Sequence, residues 1–219
     1  NATASNNVLS IGALTFTGAT GLNVTGANGY WLNTTGAVTL TNANQAIDVA
    51  SGMTFQMGAA VGGAAFGINK TNTGTLILAS ANSYTGATTL SAGTLRGLVA
   101  ASFGGAGTGL NLNGGILELF AQTNAATTYA NTNTTVGNSS STTITADILT
   151  GMTGISGFGN GYSNAQPVGT PTITHILGTL ALGTSSTLTV NSQNYDGVGV
   201  TFGATTINGT LASPSAINV

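Results

Sequence analysis

The sequence predicts an all-β chain that folds as a right-handed β-helix, or β-solenoid, of short strands, with a β-sandwich as the alternative. Three observations support this prediction. Apolar and polar residues alternate in runs of about three to six residues, Gly, Asn and Ser turns separate these runs, and only 6% of the residues are aromatic. A narrow coil filled by Leu, Ile and Val needs few aromatic side chains, whereas a sandwich core usually includes several.

The alternation extends along most of the chain. A period of two places the apolar residues of each run on one face of a strand. The runs contain the pairs Leu14 and Phe16, Leu22 and Val24, Val38 and Leu40, Ile47 and Val49, Leu76 and Leu78, Leu110 and Leu112, Leu117 and Leu119, Leu180 and Leu182, and Leu188 and Val190. A Gly-Thr-Leu motif recurs at Gly74, Gly93, Gly178 and Gly209. Recurrence of a short strand motif favours stacked coils over a sandwich.

We expect residues 1–219 to form one solenoid domain with two irregular excursions. The stretch near 123–141 is nearly all Asn, Thr, Ala and Ser, and the stretch near 151–171 is rich in Gly, Asn and Ser and contains two of the three prolines. Residues 8–16 and 216–219 have strand-like sequences. Because the chain begins with Asn1 rather than Met, we also expect a processed segment of a longer precursor.

The composition argues against several classes of function. Charged residues make up 3% of the chain, and its two cations, Lys70 and Arg96, are too few for a nucleic-acid groove. With no cysteine and a single histidine, we expect no disulfide, no metal and no cofactor. No apolar run approaches the roughly 18 residues of a membrane-spanning helix.

The ionisable residues show no catalytic pattern. The four carboxylates, Asp48, Glu118, Asp147 and Asp196, are far apart in sequence and share no motif, so we interpret them as outward strand residues or turn residues. His175 alternates with Ile173 and Leu177, which predicts a packed histidine. No nucleophile elbow is present, and we expect no catalytic residue and no enzyme.

One segment carries a more specific motif. Residues 70–96 read KTNTGTLILASANSYTGATTLSAGTLR and resemble the autotransporter-associated β-strand repeat. The matching positions are Lys70, Gly74, Thr75, Leu76, Leu78, Asn82, Tyr84, Gly86, Thr88, Thr89, Ala92, Gly93, Thr94 and Leu95. The following LNLNGGILEL at 110–119 is similar to the strand and Gly-Gly turn that often come next.

The residues of the motif allow a physical interpretation. We expect Gly86 and Gly93 at corners with unusual backbone angles, and Asn82 pointing inward with its amide bonded to turn backbone. Tyr84 should pack flat on the coil with its hydroxyl in water. Four leucines should point inward: Leu76, Leu78, Leu90 and Leu95.

The resemblance implies a secreted β-helical passenger, extracellular or at the surface of a Gram-negative bacterium. Our main hypothesis is a structural rod or filament subunit that assembles head-to-tail through its strand edges or belongs to a larger surface protein. The alternative is an adhesin or glycan-binding passenger that makes contact through Tyr30, Trp31 or the 151–171 excursion. A polysaccharide-active enzyme is the third hypothesis, and it requires two carboxylates within about 10 Å of each other in a cleft.

Overall fold

The computed structural model describes residues 8–26, 30–121, 125–131, 133–148, 173–192, 198–207 and 216–218. Every strand pair in these ranges is parallel, and neighbouring strands in each sheet come from successive passages of the chain. A sandwich of antiparallel hairpins is therefore ruled out, and the prediction of a β-solenoid is confirmed. No helix long and apolar enough to cross a membrane occurs in these ranges.

The strands are short, as the alternating runs predict. In chain order they are β1 (Val8–Ile11), β2 (Leu14–Phe16), β3 (Leu22–Val24), β4 (Trp31–Thr34), β5 (Val38–Leu40), β6 (Gln45–Val49), β7 (Thr54–Met57), β8 (Val61–Gly62), β9 (Ile68–Thr71), β10 (Thr75–Leu78), β11 (Thr88–Leu90), β12 (Thr94–Gly97), β13 (Gly109–Leu112), β14 (Gly115–Ala121), β15 (Thr127–Thr128), β16 (Asn133–Val136), β17 (Ser141–Ile148), β18 (Ile173–Ile176), β19 (Thr179–Leu182), β20 (Thr187–Ser192), β21 (Val198–Thr201), β22 (Thr205–Ile207) and β23 (Ala216–Asn218).

The strands form three faces of a coil. Face 1 is a nine-stranded sheet in the order β1, β4, β7, β10, β12, β14, β17, β20, β23. Face 2 is an eight-stranded sheet of β3, β6, β9, β11, β13, β16, β19 and β22. Face 3 consists of two separate three-stranded ladders, β2–β5–β8 and β15–β18–β21. Between these ladders, residues 79–87 and 98–108 cross face 3 without forming a strand.

Coil length varies, which explains the irregular spacing of the sequence runs. On face 1, Val8 pairs with Trp31, Trp31 with Thr54, Thr54 with Thr75 and Thr75 with Thr94, giving steps of 23, 23, 21 and 19 residues. Faces 1 and 2 continue without a break through these changes. The length of these coils therefore varies mainly at the corner between face 2 and face 1.

The interior is filled by columns of apolar side chains, one from each coil. The main column on face 1 contains Leu32, Phe55, Leu76, Leu95, Leu117 and Ile144. A second column has a gap at Gly97, between Leu78 and Leu119, and the Phe103 ring fills it. A Cβ at residue 97 would lie 2.4 Å from Phe103 Cζ. The four leucines expected inward are all fully buried in this core.

The stretch 123–141 differs from the irregular excursion that its composition suggests, because it contains β15 and β16. β16 pairs with β13 and with β19, and Thr134 takes the inward position that Leu110 and Leu180 hold in those strands. Thr134 is fully buried. A β-branched Thr has nearly the shape of Val and suits a strand, so a polar sequence can still form a coil. The excursion expected near 151–171 lies outside the described residues.

Candidate functional site

The corner between β9 and β10 is organised by Lys70, the first residue of the repeat motif. Lys70 pairs in register with Ile47 of β6 and Leu90 of β11, and its side chain is fully buried. Its ammonium donates hydrogen bonds to the carbonyl oxygens of Thr71 at 2.7 Å, Asn72 at 2.6 Å and Ala92 at 3.3 Å. A lysine in an apolar column thus directs its charge into the corner backbone of its own coil and the next.

Asp48 completes this corner from the preceding coil. Asn72 Nδ2 donates to Asp48 Oδ1 at 2.9 Å, and Thr71 Oγ1 donates to Asp48 Oδ2 at 3.3 Å. Burial lowers the pKa of Lys70 to about 8, and the Asp48 carboxylate partly opposes this shift. We call Asp48, Lys70, Asn72 and Gly93 the Lys70 clasp; it joins three successive coils.

Three glycines of the repeat are required for different physical reasons. Gly93 has φ +70°, and a Cβ there would lie 2.3 Å from the Asn72 oxygen and 2.8 Å from Lys70 Nζ. Gly74 and Gly86 lack a positive φ, so the expectation of an unusual angle at Gly86 is wrong. A Cβ would instead collide with backbone, 2.2 Å from the Ala50 oxygen at Gly74 and 2.4 Å from the Phe66 carbonyl carbon at Gly86.

Asn82 connects three coils through its side-chain amide. It is 4% exposed; its Oδ1 accepts from the Val61 N–H at 2.8 Å, and its Nδ2 donates to the Ser102 oxygen at 2.5 Å. Val61 lies one coil before Asn82 and Ser102 one coil after it. The side-chain amide of Asn82 therefore hydrogen-bonds from the interior to the backbone of both neighbouring coils. It does so within residues 79–87, which form no strand.

Tyr84 is placed differently from the sequence prediction. Its hydroxyl is not in water, because the whole residue is fully buried and Tyr84 Oη lies 2.6 Å from Thr88 Oγ1. Thr88 Oγ1 donates to the Phe103 oxygen at 3.0 Å, so the Tyr84 hydroxyl donates to Thr88. Burial raises the pKa of Tyr84. These side chains add to the backbone hydrogen bonds that join this segment to its neighbouring coils, such as that from Ser83 N–H to the Val61 oxygen at 2.9 Å.

The aromatic pair Tyr30 and Trp31 lies at the first coils. Tyr30 is 41% exposed, whereas Trp31 is partly buried and packs against the cluster of Ile77, Ala79, Leu98 and Phe120 on the outer side of face 1. Both line a groove of about 320 Å³ with apolar neighbours that include Leu9, Val24, Leu32 and Met53. Neither residue belongs to the interior cluster.

The described carboxylates lie on two faces of the coil, Glu118 and Asp147 on face 1 and Asp48 on face 2. Glu118 forms an ion pair with Arg96, with Arg96 Nε 2.5 Å from Glu118 Oε2, and the Arg96 guanidinium lies 5.0 Å from the centre of the Phe120 ring. Asp147 is fully buried within β17, opposite Phe120, and does not cap a turn. Glu118 and Asp147 thus lie on neighbouring strands, two positions apart along the sheet.

Asp48 belongs to the Lys70 clasp on face 2, far along the coil from Glu118, and Asp196 lies outside the described residues. Within the described ranges, no group of three or more His, Cys, Asp or Glu side chains is arranged to hold a metal ion. The sequence expectations for metal, cofactor and catalysis stay predictions.

His175 has the packed position that the sequence predicts. Ile173, His175 and Leu177 are all buried on the same side. Its ring lies against Tyr129, with ring centres 6.0 Å apart, and Tyr129 lies against Phe103, with centres 5.4 Å apart.

The sequence patterns did not reveal the interior roles of Lys70, Thr88, Phe103 and Tyr129. A signal for Lys70 was present, since it alternates with Ile68 in β9 and therefore occupies an inward position. No comparable signal existed for Phe103, because apolar and polar residues do not alternate regularly from Gly97 to Phe103.

Two comparisons with known proteins found sequences similar to this chain. Residues 68–96 match the family model described as the passenger-associated-transport-repeat. The chain is also 41% identical over 116 residues to the "Adhesin BmaC autotransporter" of Brucella suis biovar 1 (strain 1330), an alignment covering 52% of this chain and 3% of that protein. No solved structure gives a significant match. Lys70, Asn72, Asn82, Tyr84 and Gly93 all lie within the segment that is similar to the passenger-associated-transport-repeat, whereas Asp48 lies before it.

Proposed function

We propose that this chain forms part of a β-solenoid rod in a passenger protein at the surface of a Gram-negative bacterium, where it acts by spacing and contact rather than by catalysis. The repeat at 68–96 carries the proposal, because in this structure its characteristic residues serve to fix coil corners. The similarity to a Brucella adhesin supports an extracellular location. Since the chain spans about 3% of that adhesin's length, the activity of the whole protein is part of the proposal.

The finer part of the proposal is head-to-tail assembly through strand edges. β1 and β23 are the two terminal strands of face 1 among the described strands. At the β1 edge, Val8 is 45% exposed and Leu9 is 62% exposed, although Leu9 continues the column of Leu32 and Phe55. A second copy that brings its last coil onto this edge would extend the parallel sheets and bury the column end. Such a contact is heterologous and generates fibres.

Negative-stain electron microscopy and concentration-dependent light scattering test this assembly. We expect fibres with an axial repeat close to one subunit length, and loss of fibres in Leu9→Lys. Ile116→Lys is the matched control, because Ile116 is an exposed apolar residue (39%) in the middle of face 1. A wild-type chain that stays monomeric at every concentration, or equal loss in both variants, would contradict head-to-tail assembly and leave the rod proposal intact.

A second candidate function is glycan binding at the groove beside Tyr30. The supporting observation is an exposed aromatic ring at the edge of a groove of about 320 Å³, since a sugar ring can stack on such a face. A glycan array with wild type and Tyr30→Ala tests it, with Ile116→Ala as the control for loss of an exposed apolar side chain. Binding that survives Tyr30→Ala, or no binding by wild type, would place the contact elsewhere or remove it.

The proposal that the chain is not an enzyme has its own test. Glu118 and Asp147 are the two carboxylates on neighbouring strands, and Arg96 holds one of them in an ion pair. We expect no release of reducing ends from neutral or acidic polysaccharides. Cleavage that disappears in Glu118→Gln or Asp147→Asn would overturn the proposal and revive the enzyme hypothesis.

A further inference from the structure

His175 is the single histidine of the chain, and both of its ring nitrogens are engaged in the interior. Nε2 lies 3.0 Å from the main-chain oxygen of Asp147. A carbonyl only accepts, so Nε2 carries the hydrogen and Nδ1 is the free acceptor. Nδ1 lies 3.3 Å from the Tyr129 hydroxyl, which therefore donates to it. This arrangement requires a neutral imidazole.

The His175 ring also links three coils. It stacks on Tyr129 at an interplanar angle of 28°, and Tyr129 stacks on Phe103 at 27°. Phe103 lies between β12 and β13, Tyr129 between β15 and β16, and His175 in β18. Movement of the imidazole would therefore disturb the interior on the face-3 side of all three coils.

Among the residues that the structure describes, no carboxylate side chain on the packed elements faces this ring. The register partners of His175 are Thr127 of β15 and Val200 of β21, which are uncharged. Tyr129 stays neutral because burial raises its pKa. Asp147 meets the ring through its carbonyl, and its side chain follows inward Ala146 and so points to the other side of β17. Burial lowers the pKa of His175 to about 4, although the bond to Asp147 opposes this shift.

The wall around His175 is paired less extensively than face 1 of the same coils, although β18 and β21 share four residue pairs. β15 and β18 share two residue pairs, Thr127 with His175 and Thr128 with Ile176. On face 1 of the same coils, β14 and β17 share seven pairs. Local opening takes place where few backbone bonds and contacts must break, so face 3 opens at lower cost than face 1.

We propose that His175 is an acid-sensitive latch, whose protonation opens face 3 around β15, β18 and β21 while faces 1 and 2 stay paired. The imidazolium gains an N–H at Nδ1, directed at a hydroxyl that already donates in that direction, and no carboxylate side chain of the described residues faces it. Hydration of the charge requires β18 to move out of the wall. Opening then exposes interior side chains beside it, including Leu177 and Leu180.

The composition makes this latch the main acid-responsive feature of the chain. The 219 residues include only four carboxylate side chains and one histidine. Generalised charge repulsion, which unfolds many proteins in acid, is therefore weak here. A response between pH 6.5 and 4 is expected to start at His175.

Hydrogen exchange measured by mass spectrometry tests the latch on the full chain. After correction for the intrinsic pH dependence of exchange, we expect opening of 127–129, 173–177 and 198–201 to increase by about tenfold per pH unit between 6 and 4.5. Peptides covering β7 and β10 on face 1 should not change. In His175→Phe, which keeps a ring but cannot be protonated, the same segments should show no increase.

Two further measurements keep the test decisive. The imidazole resonance of the single histidine should titrate in the folded wild type with a midpoint well below 6.5. If His175→Phe does not fold, His175→Gln is neutral and retains a donor for the Asp147 oxygen. A midpoint near 6.5, an acid response that persists in the neutral variants, or simultaneous opening of all faces would overturn the proposal.

Discussion

Lys70 and Leu90 occupy the same register position on adjacent strands of face 2, yet one ends in an ammonium and the other in two methyl groups. Both are fully buried. The lysine is tolerated because its aliphatic stem fills the column while its charge reaches the corner carbonyls. A single side chain thus contributes to core packing and closes the turn that follows it.

Replacing Lys70 with Met keeps the stem and removes the donors. We expect Lys70→Met to lower the free energy of unfolding by about 1–3 kcal/mol, because carbonyls of Thr71, Asn72 and Ala92 lose their partner. Urea denaturation followed by circular dichroism measures the change. Leu90→Met, at the register partner, is the control and should cost less than about 1.5 kcal/mol. Equal midpoints for Lys70→Met and wild type would show that the clasp adds no stability.

Alkaline pH should affect the same clasp. Because the pKa of Lys70 falls from 10.5 to about 8 on folding, the unfolded chain binds more protons between these values. Stability should therefore rise with pH from about 8 to 10, at up to about 1.4 kcal/mol per unit. Denaturation midpoints of wild type and Lys70→Met over this range give the difference. A difference that does not depend on pH would mean that Lys70 stays fully charged in the folded chain.

Above pH 10 the tyrosines act in the opposite direction. Burial raises the pKa of Tyr84 and of Tyr129 beyond the ordinary value of 10, so the unfolded chain loses protons that the folded chain keeps. Stability should fall as pH rises past 10. Tyr84→Phe should reduce this loss, and fluorescence-monitored unfolding between pH 9.5 and 11 checks it. An unchanged slope in Tyr84→Phe would contradict the buried, neutral hydroxyl.

Gly93 and Gly52 form a matched pair for measuring a steric collision. Both have positive φ, +70° and +74°, but an added Cβ meets the Asn72 oxygen at Gly93 and nothing within 4 Å at Gly52. We expect Gly52→Ala to cost about 1–2 kcal/mol for the left-handed backbone. Gly93→Ala should cost more, because the collision adds to that backbone term. Thermal unfolding of the two variants gives the comparison, and similar losses would show that the corner relaxes freely.

Asn82 should be among the most sensitive polar residues of the chain. Asn82→Ala leaves the Val61 N–H and the Ser102 carbonyl without their partner in the interior, which we expect to cost about 2–4 kcal/mol. Asn113→Ala, at an exposed position, should change stability by less than about 0.5 kcal/mol. Chemical denaturation of both variants tests this, and a small effect at Asn82 would mean that other groups take over its bonds.

The sequence predicted the regular parts of the fold and missed the exceptions, for physical reasons. The inward positions of Leu76 and Leu78 can be predicted from the sequence, because alternation with a period of two is visible within a single strand. The inward position of Thr134 cannot be predicted in this way, since only its register partners Leu110 and Leu180 show that it lies inside. The inward position of Phe103 cannot be predicted from the sequence either, because the gap that it fills at Gly97 exists only once the coils are paired. The resemblance of residues 70–96 located the corner, but the buried charge of Lys70 required the three-dimensional path of the backbone.

Variation in coil length separates the girth of the rod from its height. Each coil adds one strand spacing along the axis, about 4.8 Å, however many residues it contains. The 19-residue coil from Thr75 to Thr94 and the 23-residue coil from Trp31 to Thr54 therefore advance the axis equally. Insertions and deletions within a coil change its girth and leave the reach of the rod unaltered.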